Sequence, residues 1–105
     1  MSNEQHDMID QIISRYTFGQ QRAIFVEECA EAIQASCKLE RASNSSPEEY
    51  EQRRKALISE IADVIIMAEQ MRIYLGRDQV DAEIQKKIER QLDRIRAERN
   101  DYEDS

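Results

Sequence analysis

The sequence predicts an all-α protein, an antiparallel four-helix bundle. Three observations indicate this fold class. The 105 residues include only two glycines and one proline, and the longer segments consist mainly of good helix formers. Apolar residues recur every three or four positions, as they do on one face of an α-helix. Short breaks separate four such segments, which is typical of neighbouring helices that run in opposite directions.

The first two helices are predicted from apolar spacing and from the break between them. Residues 4–16 carry apolar side chains at helical spacing, namely Met8, Ile9, Ile12, Ile13 and Tyr16. Thr17, Phe18 and Gly19 interrupt this pattern. A second helix is therefore expected over about residues 20–41.

The third and fourth helices have start and stop signals of their own. Ser46-Pro47-Glu48-Glu49 is a typical helix start, with a capping serine, a proline in the first turn and a glutamate three residues after the cap. The third helix is expected over residues 47–75, with Gly76 as its C-terminal cap. The fourth is expected over residues 78–99. Residues 1–99 would then form one domain, and residues 100–105 a frayed acidic tail.

The third helix carries more apolar surface than a single bundle can bury. Its broad face consists of Leu57, Ile61, Val64, Ile65, Ala68, Met71 and Leu75. A second stripe consists of Ala62, Ile66 and Ile73. Two stripes predict packing both within the chain and against a partner subunit, in a homodimer or a dimer of dimers. Alternatively, the second stripe is a set of scattered surface residues.

The charge of the chain argues against several classes of partner. A formal net charge of −7 disfavours a general nucleic-acid or anionic-membrane binder, which needs a basic face. It leaves open a nucleotide that arrives with Mg²⁺, because the metal reverses the local sign of the charge. With neither a signal peptide nor an apolar run near 18 residues, a cytoplasmic location is expected.

Two acidic motifs lie inside apolar stretches of the second and third helices. The first contains Glu27, Glu28 and Glu31, and the second contains Glu60 and Asp63. Carboxylates in such surroundings are costly unless they are paired or bind a cation. Residues three apart lie on one helix face, so Glu28 with Glu31, and Glu60 with Asp63, can each share a cation. Packing of the two helices would join the pairs into one metal site, with Glu27 as a fifth ligand or a support.

The ligand types narrow the choice of metal. Oxygen ligands favour a hard cation, Mg²⁺ or Mn²⁺, over zinc. A di-iron site would need Glu-x-x-His pairs, and the single histidine, His6, lies outside the acidic motifs and is expected to be solvated. The alternative is that both motifs are ordinary solvated helix faces, where acidic residues at this spacing are common.

The fourth helix places a basic face beside its apolar stripe. Lys87, Arg90 and Arg94 lie at helical spacing and could hold phosphate oxygens next to the acidic cluster. The alternative is a solvated face whose cations pair with neighbours on the same helix, for example Lys87 with Glu83.

Together these motifs resemble the MazG-like all-α nucleoside triphosphate pyrophosphohydrolases. The family pattern is E-E-x-x-E, a spacer and E-x-x-D, which Glu27-Glu28-x-x-Glu31 and Glu60-x-x-Asp63 match at every acidic position. Lys87-Ile88-Glu89-Arg90 is similar to the family's Lys/Arg motif on the last helix. The resemblance covers roughly residues 20–95.

The resemblance implies a role for each matched residue. Glu28, Glu31, Glu60 and Asp63 would bind Mg²⁺, and Glu27 would bind a second metal or orient water. Lys87 and Arg90 would contact phosphates, with Arg94 as a further candidate. Gln91 stands where relatives carry Asn or Arg, and no tryptophan is available to contact a base.

The expected reaction is hydrolysis of a nucleoside triphosphate between its α and β phosphates. The resemblance implies this reaction class but does not select the base or the sugar. One alternative keeps the fold and the chemistry and makes phosphoribosyl-ATP the substrate. Another is a non-catalytic helical assembly module whose acidic residues are solvated or pair with basic partners.

Overall fold

The computed structural model describes residues 1–104, and the side chains of residues 1–101. The described residues form four α-helices and no strand: α1 (Asn3–Ile13), α2 (Phe18–Arg41), α3 (Pro47–Leu75) and α4 (Arg77–Asp104). The all-α class and the four predicted helices are confirmed. None of the described helices is long and apolar enough to cross a membrane. The chain divides into two compact units, one made of residues 1–74 and one that begins at Leu75 and contains α4.

Side-chain caps define where α1 and α2 begin. The hydroxyls of Ser2 and Thr17 each accept a hydrogen bond from the backbone N–H three residues later. The side chains of Gln5 and Gln20 accept the return bonds from the two capping residues, which completes a capping box at each helix. Because Thr17 is a start signal, α2 begins at Phe18, earlier than the apolar pattern alone predicts.

The limits of α3 agree with the prediction. The Ser46 hydroxyl accepts a hydrogen bond from the Glu49 backbone N–H at 3.2 Å, as expected of an N-terminal cap. After Leu75, Gly76 has a φ of 122°, a conformation that residues with a side chain rarely adopt. The glycine therefore ends the helix, as predicted.

The fourth helix, in the second unit, is longer than predicted. It begins at Arg77 and continues through Asp104, beyond residue 99. Residues 100–104 contain neither glycine nor proline, so the local sequence has no strong signal that would end the helix earlier. The single domain over residues 1–99 and the frayed tail stay predictions.

In the first unit, α2 and α3 contact each other along most of their lengths. Near the start of α2, the side-chain amide of Gln21 donates a 2.8 Å hydrogen bond to Gln70 Oε1 near the end of α3. Near the end of α2, Lys38 lines a cavity together with Arg53, from the first part of α3. Half-buried or buried positions of α2 and of its C-terminal cap, Ala42, recur at coiled-coil steps of four and three residues: Gln21, Phe25, Glu28, Ala32, Ala35, Leu39 and Ala42.

The buried face of α3 matches its broad apolar face only in part. Met71 of that face is buried, but Ile61 and Ile65 are 44% and 53% exposed. Glu60 is half-buried and Gln70 is only 2% exposed. The reason is pairing across the two helices, since Gln70 accepts the hydrogen bond from Gln21, and an apolar pattern does not record polar pairs of this kind.

The first helix packs against the C-terminal half of α3. The Tyr74 hydroxyl donates to the carbonyl oxygen of Tyr16 at 2.7 Å, and the carbonyl oxygen of Ile13 lies 3.2 Å away. His6 Nδ1 lies 3.5 Å from Glu69 Oε1, so His6 is not the fully solvated residue that the sequence predicts. These contacts hold α1 on the part of α3 that follows the acidic motif.

Candidate metal centre

Three carboxylates from α2 and α3 lie beside one another. One oxygen atom from each of Glu28, Glu60 and Asp63 lies within 4.8 Å of the corresponding atoms of the other two. Glu60 and Asp63 share a face of α3 because they are three residues apart. Contact between α2 and α3 then brings Glu28 to that face. The structure thus joins three of the four predicted ligands in one group.

Two of these carboxylates have an oxygen atom that is buried and unpaired. The Oε2 atoms of Glu28 and Glu60 are withdrawn from solvent and have no hydrogen-bond partner among the described residues. A buried acceptor without a partner loses its hydration and gains no bond in return. A cation placed between the carboxylates is a partner that would satisfy both atoms.

Partial burial and the crowding of acidic groups raise the pKa of Glu28 and of Glu60. Burial is the largest cause of the raised pKa of Glu28, followed by the charges of Glu31, Asp63 and Glu60. Burial is also the largest cause of the raised pKa of Glu60, followed by the nearby Glu31 carboxyl group and the charge of Asp63. In the metal-free protein the negative charges of these two groups are therefore less favourable than they are in water, and a bound cation would offset them.

Glu31 and Glu27, the other two glutamates of the first motif, differ in how close they lie to the three clustered carboxylates. Glu31 is exposed, but it lies close enough to raise the pKa of both Glu28 and Glu60. It forms the solvent edge of the cluster. Glu27 is exposed and is not one of the three closely spaced carboxylates, so its supporting role stays a prediction.

The donor atoms fit a small, hard divalent cation. All three are carboxylate oxygens, which suit Mg²⁺ and Mn²⁺ better than softer metals. Two oxygens on opposite sides of a Mg²⁺ ion, each about 2.0–2.1 Å from it, are about 4 Å apart. Side chains whose oxygens already lie within 4.8 Å would need only small rotations to reach this separation.

The predicted phosphate-binding residues lie on α4, in the second unit. Lys87, Arg90, Gln91 and Arg94 are all exposed. The alternative pair of Lys87 with Glu83 is not among the ion pairs of the described residues, in which Glu83 Oε1 instead lies 3.3 Å from the Nζ of Lys86. Contact of these residues with phosphate stays a prediction.

A cavity beside the acidic cluster is lined by two cations that lie outside the predicted motifs, Lys38 and Arg53. Its volume is about 150 Å³, and it is lined by Glu31, Gln34, Ala35, Lys38, Arg53, Ala56 and Glu60. Spacing gave a usable signal, because Lys38 follows Glu31 by seven residues and Arg53 precedes Glu60 by seven. Seven residues are close to two helical turns, so each cation shares a face with the acidic residue.

Comparison with known proteins gave no match: no family model, curated protein or solved structure matches this chain. What the chain offers for functional inference is its all-α fold and the carboxylate group between α2 and α3.

Proposed function

We propose that the protein is a Mg²⁺-dependent nucleoside triphosphate pyrophosphohydrolase of the MazG-like type. It would act in the cytoplasm and cleave a (d)NTP to a (d)NMP and pyrophosphate. The observation that carries the proposal is the close approach of Glu28, Glu60 and Asp63, together with the buried, unpaired oxygens of the two glutamates. The resemblance of both acidic motifs to the MazG-like pattern supplies the reaction class.

The carboxylates of the cluster have separate roles in the proposed hydrolysis. Glu28, Glu60 and Asp63 would hold the Mg²⁺ ion, or Mn²⁺ in its place, which would supply positive charge at the phosphates and make the attacking water more acidic. Glu31, at the solvent edge, would accept a proton from that water. The water oxygen bonds to the α-phosphorus. The bond from that phosphorus to the bridging oxygen breaks, and its electron pair leaves with pyrophosphate.

The site of bond cleavage is the first test. In Mg²⁺ and water labelled with ¹⁸O, we expect equal amounts of pyrophosphate and nucleoside monophosphate, with the label in the monophosphate, because the water attacks the α-phosphorus. A screen of the eight common NTPs and dNTPs, with phosphoribosyl-ATP added, would identify the substrate by mass spectrometry. Release of a diphosphate and inorganic phosphate would contradict the proposal.

We also propose that the helices form an antiparallel four-helix bundle and that copies of the chain associate as a homodimer or a dimer of dimers. The association of copies is supported by large apolar side chains that are exposed on α2 and α3: Val26, Ile33, Ile58, Ile61 and Ile65. Val26 and Ile33 are seven residues apart, as are Ile58 and Ile65. They therefore form stripes that a second copy would bury, whereas isolated exposed residues would need no partner.

The oligomer makes a prediction for Ile65→Lys. Ile65 is 53% exposed in the single chain, so a lysine there should not disturb the fold of one copy, but it would place a charge in an apolar interface. We expect light scattering to show a mass that falls towards the 12.4 kDa of one chain. Gln52→Lys adds the same charge at an exposed polar position of α3 and should leave the mass of the oligomer unchanged. A parent protein that already has the mass of one chain would refute the oligomer.

A further inference from the structure

Two cavities adjoin beside the acidic cluster and share a pair of cationic side chains. The cavity next to the cluster includes Glu31 and Glu60 in its lining. A second cavity, of about 290 Å³, lies by the loop between α2 and α3, and is lined by Lys38, Arg41, Ala42, Ser45, Glu49 and Arg53. Lys38 and Arg53 line both cavities. We call the two cavities together the cationic groove.

The groove is positive at the end away from the acidic cluster. Three cations and one carboxylate line the second cavity, although the chain as a whole has a net charge of −7. Lys38 has no ion-pair partner among the side chains that the structure describes. Arg53 Nε lies 3.3 Å from Glu49 Oε1, in a pair whose side chains are 42% and 44% exposed. Exposed pairs of this kind contribute little to stability, so Arg53 can exchange Glu49 for another anion at small cost.

We infer that the cationic groove binds the polyphosphate end of the substrate. This inference rests on the proposed function and adds the orientation in which the nucleotide binds. The phosphates on either side of the cleaved bond would lie at Glu28, Glu60 and Asp63 with the cation, and the terminal phosphate would lie at Lys38 and Arg53. The nucleoside would then extend from the cluster on the side away from Lys38.

The distances along the helices allow this arrangement. Lys38 and Arg53 are each seven residues from the acidic residue on the same helix, a separation of about 10 Å along the helix axis. Both have long, flexible side chains that can reach towards the cluster. Their N–H groups would donate to oxygens of the departing pyrophosphate and offset the negative charge that it takes up.

Binding of inorganic pyrophosphate in the presence of Mg²⁺ tests the groove without turnover. By calorimetry on the full chain, we expect Lys38→Ala and Arg53→Ala each to weaken pyrophosphate binding by about tenfold or more, the size of effect expected for a charge-assisted hydrogen bond. Binding of Mg²⁺ alone should stay the same, because neither residue is a carboxylate ligand. Lys38→Arg and Arg53→Lys keep the charge and should restore part of the affinity.

Lys55→Ala and Arg54→Ala are matched controls. Both residues are exposed cations of α3 that line neither cavity, so their removal lowers the net positive charge of α3 by the same amount and leaves the groove intact. Arg54→Ala also removes the exposed ion pair with Glu51, which has little effect on stability. An equal loss of affinity in these controls, or no loss in Lys38→Ala and Arg53→Ala, would overturn the inference. Pyrophosphate binding that depends on Lys38 in a protein that cleaves no nucleotide would support the groove and refute the proposed reaction. If Lys38→Ala and Arg53→Ala cleaved nucleotide with unchanged KM and unchanged pyrophosphate affinity, the proposed reaction would be supported and the groove would be refuted.

Discussion

Replacement of Glu60 by glutamine should leave a folded protein whose nucleotide hydrolysis is slower by a factor on the order of 10²–10³, as when one charge-stabilising group is removed from an active site. Glu60 contributes one of the three clustered oxygens, and glutamine has nearly the same shape without the negative charge. Steady-state kinetics at saturating Mg²⁺ would measure the loss. Unchanged turnover would remove Glu60 from the site and the metal centre from the mechanism.

The same substitution should make the metal-free protein more stable. Burial and the nearby carboxylates raise the pKa of Glu60, so its negative charge is unfavourable in the folded state at neutral pH. Removing that charge should raise the Tm in chelator while activity falls. A variant that had lost activity through misfolding would instead show a lower Tm.

Glu51→Gln is the matched control for Glu60→Gln. Glu51 is another glutamate of α3, and it forms an exposed ion pair with Arg54 at 3.2 Å. Loss of such a pair has little effect on stability. We expect Glu51→Gln to keep both the activity and the metal-free Tm of the parent. A similar loss of activity in both variants would mean that hydrolysis depends on general charge and not on the cluster.

Addition of Mg²⁺ should stabilise the parent protein by about 10 °C or more in Tm. A ligand present at about one hundred times its Kd adds about 2.7 kcal/mol to the free energy of unfolding. For a domain of up to about 100 residues, each kcal/mol corresponds to about 4–8 °C in Tm. Thermal melts with Mg²⁺ and with chelator, at matched ionic strength, would measure the difference. The absence of any difference would favour the non-catalytic assembly module.

The pH dependence of the Tm should change sign with Mg²⁺. In the metal-free protein the folded-state pKa values of Glu28 and Glu60 are raised above the ordinary value of 4.5, so the unfolded chain loses these protons first as the pH rises. The contribution of these groups to stability is therefore full at lower pH and is lost as the pH rises through the folded-state values. Mg²⁺ binds the deprotonated carboxylates, so in saturating Mg²⁺ stability should rise with pH over the same interval. In Glu60→Gln both trends should be weaker.

Helix limits were largely predictable because the signals that fix them are local. Ser46 caps α3 and Gly76 ends it through contacts within a few residues, and the sequence displays both. Helix α2 begins earlier than the apolar pattern predicts, because Thr17 caps it and the glutamine three residues later completes a capping box. Helix α4 ends later than predicted, because an acidic composition does not by itself stop a helix.

The sequence by itself determined which residues share a helix face. Because of the helical repeat, Glu60 lies on the same face of α3 as Asp63, and Lys38 lies on the same face of α2 as Glu31. Only the tertiary structure decided which face of α3 meets α2. The apolar pattern predicts a face that includes Ile61 and Ile65, but Glu60 and Gln70 are more buried than either of them. The physical reason is that a helix is held by hydrogen bonds between near neighbours in the chain. The contact between two helices instead depends on pairs far apart in sequence, such as Gln21 with Gln70, whose stabilisation appears only when both partners are brought together.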